Sequence, residues 1–165
     1  MAGLPGTGKS TLAKAVAHKL SGTILSKDEI RHSIFERRDV EYSTAQDDFC
    51  MEIMLAAAEY ILHKDPSRVI LLDGRTFSRR YQVDRVIAFA ERLGQQWRIL
   101  ECVCGDEAAK HRLEQPSQHP AGNRDYSLYL AVKRRFENIV RPKLIVNTDE
   151  SLDTSISAAL QFLTE

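Results

Sequence analysis

Gly3-Leu4-Pro5-Gly6-Thr7-Gly8-Lys9-Ser10-Thr11 meets every constrained position of the pattern G-x-x-x-x-G-K-[ST]. Consecutive backbone N–H groups converge on one anion only in conformations that a Cβ hinders, so glycines at this spacing read as a phosphate-binding loop. Lys9 then sets a point charge against the β and γ phosphates of a nucleotide, and the Ser10 hydroxyl is the expected ligand of the Mg²⁺ that bridges them. Leu12, Val16 and Leu20 follow at helical spacing, so a helix is expected to aim its free N–H groups and its positive dipole end at the same phosphates. The residues expected to bind ATP are therefore Gly3, Pro5, Gly6, Thr7, Gly8, Lys9, Ser10 and Thr11.

Such a loop hangs from the end of a buried strand, yet only Met1 and Ala2 stand before Gly3. The first strand is expected to be nearly missing, through truncation, a misassigned first methionine or reduction to a short remnant. Its loss should expose apolar surface and unpaired backbone on its neighbours.

At 165 residues the chain fits one α/β domain, and its 43% hydrophobic and 28% charged content is that of an ordinary globular protein. A net charge of zero gives no global argument for nucleic acid or anionic membrane as partner. Between Lys110 and Lys143, however, eight basic residues stand against three acidic ones. Cys50, Cys102 and Cys104 form no even framework and are expected to be buried, reduced thiols. No signal peptide or apolar run of transmembrane length occurs, so a cytoplasmic location, no membrane partner and a monomer or weak dimer are expected.

Strand and helix signals alternate along the rest of the chain. Thr23-Ile24-Leu25 reads as a short strand, followed by a capping box at Ser26 and Glu29. A second box, Ser43 with Gln46, opens a long helix that Asp65-Pro66 ends. Arg68 to Asp73 and Trp97 to Val103 read as buried strands separated by a helix over Ser78 to Leu93. Asp106 to Glu114 is expected to be helical, Gln115 to Asp125 a loop, Lys143 to Asn147 a last strand, and Leu152 to Leu163 a closing helix. This alternation demands a parallel sheet with right-handed crossovers and a ligand at the carboxyl ends of the strands. The expected fold is a three-layer, doubly wound P-loop NTPase domain over residues 1–165, with about five strands, helices on both faces and a helical lid near 106–137.

Phosphoryl transfer requires charge stabilisation, alignment and a group to take the acceptor's proton. Asp28, just past the second strand on the phosphate side, is the first candidate for that group, although with Glu29 it also suits the start of a helix. Asp73 ends a run of apolar residues, the position from which a carboxylate orients Mg²⁺ or meets the acceptor, while Asp73-Gly74 also reads as a turn. Thr76 suits acceptor or metal-bound water. Arg31, one turn beyond Asp28, suits an anionic substrate group or an exposed helix face. Arg112 and Arg124 flank the expected lid loop, where arginines can stabilise charge on the transferred group; a solvated basic face is the alternative. Asp47, Asp48 and Glu52 suit either the acceptor side or a polar helix face.

Together these motifs resemble the P-loop kinase group that includes the kinase domain of bacteriophage polynucleotide kinase, chloramphenicol phosphotransferase and zeta toxins. Gly3 to Thr11 corresponds to that group's P-loop, Ser26-Lys27-Asp28-Glu29-Ile30-Arg31 is similar to its base-bearing segment, and Val69 to Thr76 resembles its strand ending in Asp with a nearby Thr. The resemblance implies that Asp28 deprotonates an acceptor hydroxyl, that Arg31 touches the acceptor, and that Arg112 is a lid arginine. Where the group has Asp-x-Thr or Asp-x-Asn, this chain has Asp73-Gly74-Arg75-Thr76. The additional Arg75 suits a substrate phosphate or carboxylate, or an ion pair with Asp47 or Asp48.

The expected function is ATP- and Mg²⁺-dependent phosphorylation of a small-molecule hydroxyl. Lys9, Asp28 and Arg112 would be catalytic, Ser10 and Asp73 metal ligands, and Asp28, Arg31, Asp73, Arg75, Thr76 and Arg124 would bind substrate. Arg112 would also touch the nucleotide. The alternatives are a 5′-hydroxyl polynucleotide kinase that uses the basic segment as a groove, and a nucleotide-dependent switch with no acceptor.

Overall fold

Each buried apolar run forms a strand and each capped amphipathic run a helix in a computed structural model, which describes residues 1–115, 122 and 125–164. In chain order these are α1 (Lys9–Leu20), β1 (Thr23–Ser26), α2 (Lys27–Ile34), a 3₁₀ turn (Arg37–Asp39), α3 (Thr44–Lys64), β2 (Ile70–Asp73), α4 (Arg80–Arg92), β3 (Leu100–Val103), α5 (Asp106–Glu114), α6 (Tyr126–Arg134), β4 (Leu144–Asn147) and α7 (Leu152–Thr164). Ser26 Oγ accepts from the Glu29 amide at 3.4 Å and starts α2 directly at the end of β1. Ser43 Oγ does the same for the Gln46 amide at 3.1 Å. The Gln46 side chain does not complete the expected box; it accepts from the Glu41 amide and donates to the Asp39 carbonyl, tying the 3₁₀ turn to the start of α3.

The strands pair in parallel as β1 with β2, in the register Ser26↔Asp73, and β3 with β4, in the register Val103↔Asn147. The expectation of about five strands is corrected: the described residues hold four strands in two pairs, and Met1-Ala2 occupy the gap between them. The Met1 nitrogen donates to the Leu72 carbonyl at 3.0 Å. On the other side the Ala2 amide donates to the Leu100 carbonyl at 2.8 Å, and the Cys102 amide donates to the Ala2 carbonyl at 2.9 Å. The spatial order is thus β1, β2, Met1-Ala2, β3, β4, with all strand carboxyl ends on one side.

Next to Met1-Ala2, β2 and β3 border a cavity of about 540 Å³, lined by Met1, Leu72, Phe77, Trp97 and Leu100 among others. This accounts for β3 being shorter than the expected Trp97 to Val103: the Ala2 ladder reaches down only to Leu100, so the residues before it have a partner on the β4 side alone, where the Leu144 amide donates to the Ile99 carbonyl at 2.9 Å.

Helices cover both faces. Leu12 and Val16 of α1 and Ala159 of α7 pack with Leu71, Leu100, Cys102 and Val146 of the sheet. Met51 and Met54 of α3 and Val83 and Ile87 of α4 pack with Ala2, Phe77 and Ile139 on the other face. Each fully buried aliphatic side chain contributes about 1.5–3 kcal/mol. Phe77 adopts φ +54°, rare for a residue with a Cβ, while buried in the second cluster. The expected helix over Ser78 to Leu93 accordingly begins only at Arg80, beyond this turn. Among the described residues no helix is long and apolar enough to cross a membrane.

Candidate active site

The phosphate loop is held by its own atoms and by two neighbouring strand ends. Gly3 has φ +130°, and a Cβ there would lie 2.3 Å from the Cys102 carbonyl oxygen, so no other residue fits this close approach to β3. The Leu4 carbonyl accepts from Thr7 Oγ1 at 2.8 Å and from Lys9 Nζ at 2.7 Å. Beyond β4, Thr148 Oγ1 lies 3.1 Å from both the Thr7 and the Val103 carbonyl oxygens, bridging the loop to β3. Thr148 has no motif of its own; its one sequence signal is a position at the carboxyl end of a strand.

Arg112 of α5 serves the same brace. Its Nη1 donates to Thr148 Oγ1 at 2.9 Å, its Nη2 donates to the Thr148 carbonyl at 2.7 Å, and Nη1 reaches the Gly6 carbonyl at 3.5 Å. Arg112 supports the loop from outside and is not part of the cavity wall that Lys9 and Ser10 face. Arg124, also expected to bind substrate, lies outside the described residues.

That cavity has a volume of about 590 Å³. Gly6, Gly8, Lys9 and Ser10 form one wall; Lys27, Asp28 and Arg31 of α2 and Asp47 of α3 form another; Gly74, Arg75 and Thr76 follow from β2, and Val132 and Arg135 from α6 and its end. Pro5 and Thr11 also line it, whereas Thr7 is buried beneath the loop and Gly3 sits against β3.

Asp28 is 4% exposed, and its Oδ1 accepts from Arg31 Nη1 at 2.9 Å and lies 3.2 Å from Lys27 Nζ. Asp47 Oδ1 takes the opposite ends of the same cations, Lys27 Nζ at 2.6 Å and Arg31 Nη2. Two carboxylates and two cations thus close a ring, buried except at Asp47, that fixes Asp28 in the cavity wall. Arg31 is fully buried with its guanidinium 5.2 Å from the Tyr42 ring centre, and both of its Nη groups are engaged within the ring. The reading of Arg31 as an exposed helix residue is therefore corrected, and in this structure its charge is directed at Asp28 and Asp47. Lys27 carried no expectation, and only its place next to Asp28 after a strand pointed to it.

Asp73 is buried at the end of β2, and its Oδ1 has no hydrogen-bond partner among the described residues. It is not part of the cavity wall, but the next residue is. Gly74 has φ +87°, and a Cβ there would lie 3.0 Å from the Lys27 amide nitrogen and 3.2 Å from Asp28 Oδ2. The turn reading of Asp73-Gly74 thus holds, and its glycine keeps space open beside Asp28. A buried carboxylate oxygen without a hydrogen-bond partner, together with the Ser10 hydroxyl, supplies hard oxygen donors of the kind that suits Mg²⁺. The Thr76 carbonyl accepts from the Gly3 amide at 3.1 Å, stitching this segment to the phosphate loop.

Arg75 is 5% exposed and pairs through Nη1 with Asp48 Oδ1 at 2.7 Å. Glu52, one turn further along α3, pairs instead with Arg85 at 2.9 Å, away from the cavity. The basic run from Lys110 to Lys143 is broken up by partners: Lys133 binds Asp106 at 2.6 Å, Arg141 binds Asp84 at 2.7 Å and Lys143 binds Glu101 at 2.5 Å. Burial pushes the Cys102 thiol up to about 11 and raises Cys50 and Cys104 as well, so none is poised as a thiolate at neutral pH.

A family model described as an AAA domain (AAA_33) matches residues 1–138. The chain belongs to this AAA domain family. A search of curated proteins returned no match. Among solved structures, the AAA domain resembles the Mycobacterium tuberculosis APS kinase CysC in complex with AMPPNP and APS, at 18% identity and a TM-score of 0.75, covering 99% of this chain and 95% of that one. It resembles a sugar kinase from Janibacter sp. at 17% identity and a TM-score of 0.71, covering 98% and 91%. A gluconokinase from Sinorhizobium meliloti 1021 matches at 17% identity and a TM-score of 0.65, covering 99% and 89%. At these identities the likeness is one of fold, and that fold is the P-loop kinase fold.

Proposed function

We propose that this AAA domain is a kinase that moves the γ-phosphoryl group of ATP to a hydroxyl of a small molecule. The observation that carries the reading is the single cavity of about 590 Å³ with Lys9 and Ser10 on one wall and the buried Asp28 carboxylate on another. The kinases among its structural neighbours, and the motif resemblance carried by Asp28 and Asp73, support it. The reading treats residues 1–165 as one cytoplasmic catalytic unit, monomeric or weakly dimeric, with 106–137 as a lid.

In this reading the loop amides, Lys9 and the N-terminus of α1 hold the phosphates. Ser10 and Asp73 would hold Mg²⁺, which supplies charge neutralisation on the phosphate oxygens when bound. Asp28, positioned by Arg31 and Lys27, accepts the acceptor's hydroxyl proton as the acceptor oxygen bonds to the γ-phosphorus. The bond from that phosphorus to the β,γ-bridging oxygen breaks and ADP leaves. Thr76 and Arg75 face the acceptor. Arg112, on the Thr148 brace, keeps the phosphate loop in shape and contributes to nucleotide affinity.

The test is ATP turnover with Mg²⁺ across sugars, nucleosides, aminoglycosides and 5′-hydroxyl oligonucleotides, for the wild type and Asp28→Asn. Stimulation by one acceptor, reduced about 10²–10⁴-fold in the variant with AMPPNP binding retained, is expected. ATP turnover that ignores acceptors and survives Asp28→Asn would replace the kinase with a nucleotide-dependent switch.

A further inference from the structure

The two buried arginines of the cavity are used differently. Arg31 gives both Nη groups to Asp28 and Asp47, and its Nε is left without a hydrogen-bond partner among the described residues. Arg75 gives Nη1 to Asp48, while its Nε and Nη2 are both buried without a hydrogen-bond partner among the described residues. Nε–H and the outer Nη2–H lie on one edge of the planar guanidinium and point the same way, the fork that matches two oxygens of a carboxylate or phosphate. Asp48 meets the charge, but buried N–H groups are costly to leave without acceptors, so the Nε–Nη2 edge of an Arg75 only 5% exposed in the cavity wall suits a ligand that brings two oxygens.

The fork is held from the α3 and α4 side of the cavity. Arg75 is anchored to α3 through Asp48, whose Oδ2 in turn accepts from Tyr81 of α4 at 3.4 Å. Arg79 and Arg135 also line this cavity; Arg79 is paired with Glu137 at 3.1 Å, and exposed Arg135 has no ion pair among the described residues. Asp28, Asp47, Asp48 and Glu137 thus balance four of the five cations on this side, Lys27, Arg31, Arg75 and Arg79, and Arg135 is left over.

Building on the kinase reading above, we propose that the acceptor carries an oxyanion group, a carboxylate or a phosphate ester, besides its reacting hydroxyl, and that the Nε–Nη2 edge of Arg75 binds two of its oxygens. Neutral polyols and unmodified sugars are poor acceptors because they leave this fork unpaired.

The experiment has two arms. With the phosphate loop saturated by AMPPNP and Mg²⁺, calorimetric binding of inorganic phosphate and of glycerate is measured for the wild type, Arg75→Lys and Arg75→Gln. Millimolar or tighter binding, weakened at least about tenfold in both variants while AMPPNP affinity is retained, is expected. Equal binding in all three proteins overturns the proposal, as does a loss of AMPPNP affinity in well-folded Arg75→Lys, which would assign the arginine to the nucleotide. In the second arm, wild-type ATP turnover is compared between acid and neutral members of matched pairs: glycerate against glycerol, and sugar phosphates and sugar acids against the parent sugars. Lower KM for the acid members supports the proposal whether or not the variants fold, and the carboxylate and phosphate arms tell the two oxyanions apart. Asp28-dependent turnover that favours neutral members overturns the anion subsite and leaves the kinase standing. Arg75-dependent anion binding with no stimulated turnover leaves the subsite standing and removes the kinase.

Discussion

Around Asp28, four side chains pair with one another, with Lys27, Asp28 and Arg31 buried and Asp47 27% exposed. Removing one cation leaves buried Asp28 and partly exposed Asp47 short of a partner; breaking a fully buried pair costs about 3–5 kcal/mol, and solvent at Asp47 offsets part of that. Arg31→Ala is therefore expected to lower the melting temperature by several degrees, with Arg31→Lys recovering part of the loss; thermal denaturation of both variants checks it. An unchanged Arg31→Ala would mean that Lys27 alone can hold Asp28 and Asp47. Lys9 and Asp28 were legible in the sequence because a motif and a strand end fixed their places. Lys27 and Thr148 were not, since their roles come from partners far along the chain: Asp47 for the first and the Thr7 carbonyl for the second. Arg75 was legible as an extra residue after Asp73, but its choice of Asp48 over Asp47 depends on how α3 is rotated against β2.

Among the elements, capping and periodicity located β1 to β4, α1 to α5 and α7 within a few residues but not the 3₁₀ turn or the bounds of α6, and the deviations have physical causes. β3 is trimmed where its ladder partner stops, and α4 starts late because Phe77 turns the chain through a left-handed conformation that no local signal announces. The slot between β2 and β3 has a direct consequence. An added N-terminal extension of about four to six apolar residues in extended conformation should enter it, each buried side chain contributing about 1.5–3 kcal/mol against about 1–2 kcal/mol of ordering per residue. A gain of about 2–8 °C in melting temperature is expected for a chain of this size; no gain would show that the slot does not accept a strand. α5 and α6 are clamped differently. Lys133 and then Tyr129 donate to the Asp106 carboxyl and hold it below its ordinary value of 3.8. The stabilisation is present above pH 3.8 and is lost as pH falls through the lower folded value. Asp106→Asn should therefore melt below the wild type at pH 7, and the two curves should converge as the pH drops under 3.8; a pH series of melting temperatures decides.

For the whole molecule, Met1-Ala2 is the narrowest part of the sheet. Among the described residues, the β1–β2 pair is joined to the β3–β4 pair within the sheet plane through a handful of bonds: Met1 to Leu72, Ala2 to Leu100 and Cys102, and Gly3 to Thr76. The remaining cohesion comes from the helices on either face. The phosphate loop begins at the very next residue, so it is a splice as well as a binding site. A nucleotide that tightens the loop must also tighten the seam, and the seam's opening must loosen the loop. Amide hydrogen exchange should report this: on addition of AMPPNP and Mg²⁺, the amides of Gly3 and Cys102 are expected to slow together with those of the loop, whereas protection confined to the loop would show the two to be independent. A sheet spliced in this way makes ligand occupancy a determinant of how firmly its two halves hold together.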